Sequence, residues 1–202
     1  MKVLTLSAAI LGFILMSCQK TTPYPEHLPP LKAAIECLPK DGAIIAAHRG
    51  TSRDWNTAEN SISALQKLIK QNYLLAEIDV AGLRDSTMIT FHDGVWDDIS
   101  TGKGPVISTT KESLEKILLK TRKGTYTSDR PPLFEDMLQT AKGKIYLEID
   151  FKSSANMQNV ISTIKKYDMS DQVLLIAYTK NQAKKLRNLA PNMLLSSPES
   201  GA

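Results

Sequence analysis

Ionisable side chains gather where four predicted strands end in this 202-residue chain. In chain order they occur within His48-Arg49, Glu77-Ile78-Asp79, His92-Asp93 and Glu148-Ile149-Asp150-Phe151-Lys152. Side chains two positions apart in a strand share a face, so the acidic residues of each strand point the same way. Buried carboxylates are unfavourable unless they are paired or bind a metal. The pattern therefore indicates a chemical site rather than core packing.

The hydrophobic pattern predicts strands that alternate with helices, which is typical of a parallel α/β sheet. The predicted strands are 43–47, 74–80, 87–91, 145–151, 173–178 and 193–196. The predicted helices are 60–71, 111–119, 134–141, 155–167 and 180–189. Only residues 80–86 separate the second and third strands, which is too few for a helical crossover. In a closed α/β barrel, the carboxyl ends of the strands carry the active site.

The composition describes an ordinary globular chain of one domain. Hydrophobic residues make up 42% and charged residues 23%, which excludes wholesale disorder. The net charge is only +4 and no long basic run accompanies it, so no nucleic-acid partner is expected. Two cysteines are too few for a disulfide scaffold.

The first 42 residues predict export and a membrane anchor. Lys2 precedes an apolar stretch over residues 3–16, as in a secretory signal peptide. The following Leu15-Met16-Ser17-Cys18 resembles the lipidation motif of bacterial lipoproteins. We therefore predict a signal peptide over 1–17, a lipid on Cys18, a proline-rich tether over 18–42 and a membrane-anchored lipoprotein of the bacterial cell envelope, on its periplasmic or surface side. The alternative is an ordinary cleaved signal peptide.

Seven short motifs together resemble the glycerophosphodiester phosphodiesterase family, whose members are related to the barrels of phosphatidylinositol-specific phospholipase C. They are Ala47-His48-Arg49-Gly50, Ala58-Glu59-Asn60-Ser61, Glu77-Ile78-Asp79-Val80, Phe91-His92-Asp93, Ser100-Thr101-Gly102-Lys103-Gly104, Pro132-Leu133-Phe134-Glu135 and Leu147 to Lys152. Three places depart from the family pattern: Ala58 replaces a proline, residues 97–100 lack the arginine usual after His-Asp, and Asp150 replaces the usual glutamate two residues before Lys152.

The resemblance implies metal-dependent hydrolysis of glycerophosphodiesters to glycerol 3-phosphate and an alcohol, which makes the protein a phosphoric diester hydrolase. It implies that His48 and His92 act as general acid and base, in an order left open. Arg49 and Lys152 would hold the phosphate, and Glu59 would support this arrangement together with Asn60. The ligands of a divalent cation, Ca²⁺ or Mg²⁺, would be Glu77, Asp79 and Asp150, with Glu148 as the alternative to Asp150. Oxygen ligands suit either ion.

The implied fold is a (β/α)₈ barrel over residues 43–202. Such a barrel typically needs about 250 residues, more than the 202 present. We therefore expect a C-terminally incomplete barrel with about six of the eight strands. Two other functions stay open. One is a related phosphodiesterase acting on phospholipid head groups, for which Trp96 and Ile99 could form an apolar rim near residues 94–110. The other is an inactive surface lipoprotein that binds without turnover.

Overall fold

The computed structural model describes residues 28–51 and 56–197. The predicted signal peptide, Cys18 and the first part of the tether lie outside the described residues. Within the two described ranges, no helix combines the length and the apolar character that crossing a lipid bilayer requires.

Within the described residues, six strands alternate with five α-helices. The strands are β1 (Ala46–Ala47), β2 (Leu75–Gly82), β3 (Met88–Thr90), β4 (Tyr146–Phe151), β5 (Val173–Ile176) and β6 (Leu194–Ser196). The helices are α1 (Leu31–Glu36), α2 (Ile62–Lys70), α3 (Phe134–Ala141), α4 (Met157–Lys166) and α5 (Lys180–Leu189). The predicted α-helix at 111–119 is instead a 3₁₀ helix, Lys111–Lys116. The first strand is shorter than predicted.

Five of these strands form one parallel sheet in the order β1-β2-β4-β5-β6. The third predicted strand, β3, departs from this pattern because it is antiparallel to β2, with Val80 opposite Thr90. The described part of the sheet therefore has β1 and β6 as edges and does not close. This is an α/β sheet consistent with an incomplete (β/α) barrel.

The two faces of the sheet bury different side chains. On the outer face, Ile78, Ile149 and Leu175 pack against the apolar sides of helices α2 to α5, such as Leu68 and Ile161. Burying one such side chain contributes about 1.5–3 kcal/mol. The inner face is apolar at its amino-terminal end, where Leu75 and Tyr146 are buried. Towards the carboxyl ends of the strands it becomes acidic.

Helix α1, which lies within the predicted proline-rich tether 18–42, covers the amino-terminal end of the inner face. Leu31 is buried against Leu75 and Tyr146, at the starts of β2 and β4. The Tyr146 hydroxyl donates a hydrogen bond to the Pro29 carbonyl at 2.8 Å. The described part of the predicted tether therefore belongs to the folded domain. Pro30 keeps an extended backbone directly before α1, so the proline preference and the helix are compatible.

The long segment after β3 has a small core of its own. Trp96 packs against Phe91 with ring centroids 4.5 Å apart, and both belong to one buried cluster with Leu119. Trp96 is only 1% exposed, so it cannot form the exposed apolar rim considered from the sequence. Ile99 packs against the same cluster.

Candidate active site

The turn after β1 carries the first functional pair. His48–Gly50 forms a 3₁₀ turn in which Arg49 has a left-handed backbone, with φ of 54°. That conformation is unfavourable by about 1–2 kcal/mol for a residue with a side chain. It is compensated in part because the Arg49 backbone N–H donates to Glu77 Oε2 at 2.7 Å. The strained turn thus ties the first motif to the acidic face of β2.

Strand register brings three carboxylates together. Glu77 and Asp79 share the inner face of β2, and parallel pairing places Asp79 directly beside Asp150 of β4. Carboxylate oxygens of these three residues lie within 4.8 Å of one another. Glu148 lies one pair earlier, beside Glu77, and is not part of this cluster. The geometry therefore favours Asp150 over Glu148 as the third acid.

Lys152 neutralises part of this cluster. Its Nζ donates to Asp79 Oδ1 at 2.7 Å and to Asp150 Oδ2 at 2.8 Å. Burial lowers the pKa of Lys152, but these two hydrogen bonds outweigh it and raise the pKa above its ordinary value. The remaining acid is less well compensated, since burial and the Asp79 charge raise the pKa of Glu77 to about 7. Burial and the charge of Asp150 raise the pKa of Glu148 as well.

The cluster fits a hard divalent cation. Three carboxylates provide the oxygen ligands that Ca²⁺ and Mg²⁺ prefer. Asp150 Oδ1 is buried and accepts no hydrogen bond from the described residues. An unpaired buried carboxylate oxygen is unfavourable without a cation or a donor. The elevated pKa of Glu77 has the same origin, because negative charges are concentrated at a buried place.

Asn60 supports the cluster from the loop before α2. Its side-chain amide donates to Asp79 Oδ2 at 2.7 Å, and its Oδ1 accepts the backbone N–H of Asp79 at 3.0 Å. Its own backbone N–H donates to the Arg49 carbonyl at 2.7 Å. Asn60 therefore holds Asp79 through its side chain and the Arg49 turn through its backbone.

Glu59 joins two arginines. Its side chain is 1% exposed; Oε1 accepts from Arg49 Nη1 at 2.6 Å and Oε2 from Arg122 Nε at 2.8 Å. Arg49 is the expected partner. Arg122 was not predicted, and it brings a guanidinium to the site from a position 63 residues further along the chain.

His92 reaches the site through the hairpin of β2 and β3. Because β3 runs back along β2, the residues after Thr90 return towards the acidic face. His92 Nε2 lies 2.9 Å from Arg49 Nη2, and its Nδ1 lies 2.7 Å from Asp93 Oδ1. A guanidinium can only donate, so Nε2 accepts and Nδ1 carries the proton donated to Asp93.

His48 lies on the other side of Arg49 in the chain and is more accessible. Its side chain is 66% exposed, and its Nε2 is 4.0 Å from Glu77 Oε2. Burial and the Arg49 charge lower the pKa of His48 below its ordinary value. The two histidines of the folded domain thus both lie at the site: His48 is next to Glu77, and His92 is next to Arg49.

Three contacts were not predicted from the sequence. Asp93 pairs with His92, Arg122 with Glu59, and the Tyr178 hydroxyl with Asp150. The position of Tyr178 could have been predicted. Alternate residues of β5 face the inner side of the sheet, and Tyr178 continues this series just after the strand ends. Asp93 is adjacent to a predicted catalytic residue. Nothing local marks Arg122.

Fold and site define an α/β protein with an open parallel sheet, as in an incomplete (β/α) barrel, whose strand ends carry an acidic cluster flanked by arginine, lysine and histidine. Residues 48–191 match the model of the Glycerophosphoryl diester phosphodiesterase family. The chain belongs to that family.

Relatives have the same fold. The glycerophosphodiester phosphodiesterase of Caldanaerobacter subterraneus subsp. tengcongensis is 24% identical over 157 residues, covering 74% of this chain and 64% of that protein. The structure of a glycerophosphoryl diester phosphodiesterase from Parabacteroides distasonis is 27% identical with a TM-score of 0.70, covering 76% of this chain and 53% of that one. An Oleispira antarctica phosphodiesterase, solved with the product sn-glycerol-3-phosphate, is 19% identical with a TM-score of 0.65, covering 83% and 70%. The chain spans less than two thirds of the length of the curated relatives it matches.

Proposed function

We propose that this protein hydrolyses glycerophosphodiesters to glycerol 3-phosphate and an alcohol, with a divalent cation as cofactor. The observation that carries the proposal is the buried cluster of Glu77, Asp79 and Asp150 beside Arg49 and two histidines. Family membership supports the reaction, and so does the product in the Oleispira antarctica structure.

Glu77, Asp79 and Asp150 would hold the cation, Ca²⁺ or Mg²⁺. Such a cation, when bound, neutralises and polarises a phosphodiester as a Lewis acid. Asn60 contributes by fixing Asp79 with two hydrogen bonds. The Lys152 ammonium lies against two of the three acids, so it is placed to turn from them to a phosphate oxygen.

Arg49 binds the phosphate as a second cation beside the acidic face, next to Glu77. Glu59 holds one terminal nitrogen of its guanidinium, and the backbone N–H is fixed by Glu77. Its Nε–H is buried and has no acceptor among the described residues. A guanidinium held in this way is oriented before substrate arrives, which reduces the entropy lost on binding a phosphate.

The two histidines transfer the protons. The lowered pKa of His48 favours the neutral imidazole, which suits a general base. We assign the general acid to His92, whose ring is held by the Nδ1–H that it donates to Asp93. Its Nε2, which accepts from Arg49, has to take up a proton before it can donate one. A substrate whose leaving group needs no protonation distinguishes the general acid from the general base. His92→Ala should lose far more activity on glycerophosphocholine than on a glycerophospho-p-nitrophenol ester, and His48→Ala should lose both.

Release of glycerol 3-phosphate tests the proposal. The purified protein is incubated with glycerophosphocholine and Ca²⁺ or Mg²⁺, and the product is measured by a coupled dehydrogenase. Activity that disappears in EDTA and in His48→Ala is the expected result. A folded, cation-binding protein without activity would instead favour the inactive binding lipoprotein. Cleavage of phosphatidylcholine in vesicles but not of glycerophosphocholine would favour the head-group phosphodiesterase.

We also propose that the protein is anchored to a membrane of the bacterial cell envelope through a lipid on Cys18. The support is the sequence alone: Lys2, the apolar stretch 3–16 and the motif ending at Cys18. Two or more acyl chains would hold the domain firmly, since each buried methylene contributes about 0.8 kcal/mol.

A further inference from the structure

We propose that Tyr178 is a positioning residue for the divalent cation: its hydroxyl holds Asp150 in the orientation that binds the ion. The inference rests on the proposed cation site. It concerns a contact between the end of β5 and the end of β4. The Tyr178 hydroxyl donates to Asp150 Oδ2 at 3.1 Å.

The backbone at Tyr178 is firmly placed. The N–H of Ala177 donates to the Ser196 carbonyl of β6 at 2.8 Å. The N–H of Tyr178 itself donates to Gln182 Oε1 at 2.9 Å. Thr179 caps the start of α5, since its hydroxyl accepts the N–H of Gln182 at 3.1 Å. The phenol is therefore presented from a fixed point between β5 and α5.

Tyr178 is placed for a role at Asp150 rather than in the core. The residue is 61% exposed, so its ring contributes little to packing. Its hydroxyl nevertheless reaches a carboxylate whose residue is only 5% exposed. A hydroxyl aimed inward from an exposed ring indicates a function for the hydrogen bond itself.

The two oxygens of Asp150 are in unequal environments. Oδ2 accepts hydrogen bonds from Tyr178 and from Lys152 Nζ. Oδ1 is buried and accepts none from the described residues. With Oδ2 held, rotation of the carboxylate is restricted, and Oδ1 is left without a hydrogen bond among the described residues in a residue that belongs to the cluster with Glu77 and Asp79. Outer partners of this kind orient metal-binding carboxylates.

Tyr178 is also the partner that remains when a cation binds. Lys152 bridges Asp79 and Asp150, so a divalent ion and the ammonium compete for the same carboxylates. The phenol carries no charge that a cation would repel. Once Lys152 turns away, Tyr178 is the side chain that still fixes Asp150.

Calorimetric titration with Ca²⁺ and with Mg²⁺ tests this role in the whole protein. Tyr178→Phe keeps the ring and removes only the hydroxyl. The expected result is a Kd raised about 10–100-fold, the usual effect of losing an outer partner. Tyr126→Phe is the matched control, because Tyr126 is 66% exposed and lies in the segment after β3. Its Kd should equal that of the wild type.

Activity at different cation concentrations provides a second measurement. If Tyr178 acts through the cation, excess cation should restore kcat of Tyr178→Phe to the wild-type value. A purely structural role or a substrate contact would leave kcat low at saturating cation, and this result would overturn the proposal. An unchanged Kd in Tyr178→Phe would overturn it and leave the proposed function intact. A wild-type protein that binds neither ion would overturn the cation site and Tyr178's role together.

Discussion

Glu77 makes the stability of the cation-free protein depend on pH in an unusual direction. Its pKa rises from 4.5 to about 7 on folding, chiefly because of burial and Asp79. A carboxyl whose folded pKa is raised stabilises the protein fully below the unfolded value. This stabilisation is lost as the pH rises through the folded value. A shift of this size corresponds to about 3 kcal/mol at 1.36 kcal/mol per pKa unit.

The comparison of wild type with Glu77→Gln reports this effect, because titrating groups away from the acidic cluster cancel. In EDTA, the wild type should lose about 3 kcal/mol of unfolding free energy relative to Glu77→Gln between pH 4.5 and 8. For a domain of this size, that corresponds to about 6–12 °C in Tm. Urea unfolding followed by circular dichroism measures it. The exposed Glu36→Gln serves as control and should follow the wild type.

Adding the cation at pH 8 should reverse the loss, because only the folded wild type offers the ionised cluster. Glu77→Gln should gain much less from the same addition. If the unfolding free energies of the wild type and Glu77→Gln changed in parallel with pH, the reasoning would be refuted. A wild type that gains stability relative to the variant as pH rises would refute it as well.

Three further predictions concern single side chains. Arg122→Gln should lower kcat/KM about tenfold because Glu59 loses a charged donor, while the exposed Arg130→Gln should leave it unchanged; steady-state kinetics compare them. Asp150→Asn should abolish cation binding in calorimetry, whereas Glu148→Gln should retain wild-type Kd, and equal losses would contradict the choice of ligand. Cys18→Ser should move the protein from the membrane pellet to the supernatant after cell fractionation, and unchanged pelleting would exclude lipidation as the anchor.

The acidic residues at the strand ends could be predicted, because both the strands and the face of each side chain follow from the order of residues within a few positions. Short apolar runs located β2 and β4, and the two-residue period placed Glu77 and Asp79 on one face. The family resemblance already favoured Asp150 over Glu148, through the spacing of an acid two residues before Lys152, and the strand register gives an independent reason for the same choice. Parallel pairing of β2 with β4 places Asp79 beside Asp150, and no local pattern encodes that pairing.

Contacts distant in the chain were beyond sequence reasoning. Arg122 meets Glu59 across 63 positions. The alternation of β5 could place Tyr178 on the inner face, but not pair it with Asp150, which lies 28 positions earlier. The short connection before β3 showed that no helical crossover was present, but not that the chain would fold back to bring His92 to Arg49. Burial of Leu31 under the sheet was likewise hidden, because its partners Leu75 and Tyr146 come much later.

The most direct test of the central claim is to identify the phosphorus-containing product by ³¹P NMR. Glycerophosphocholine is incubated with the protein and Mg²⁺ or Ca²⁺, and a matched sample contains EDTA. Conversion of the diester signal to that of glycerol 3-phosphate, absent with EDTA and with Asp150→Asn, is the predicted result. Phosphocholine as the product, or equal conversion in EDTA, would contradict the account.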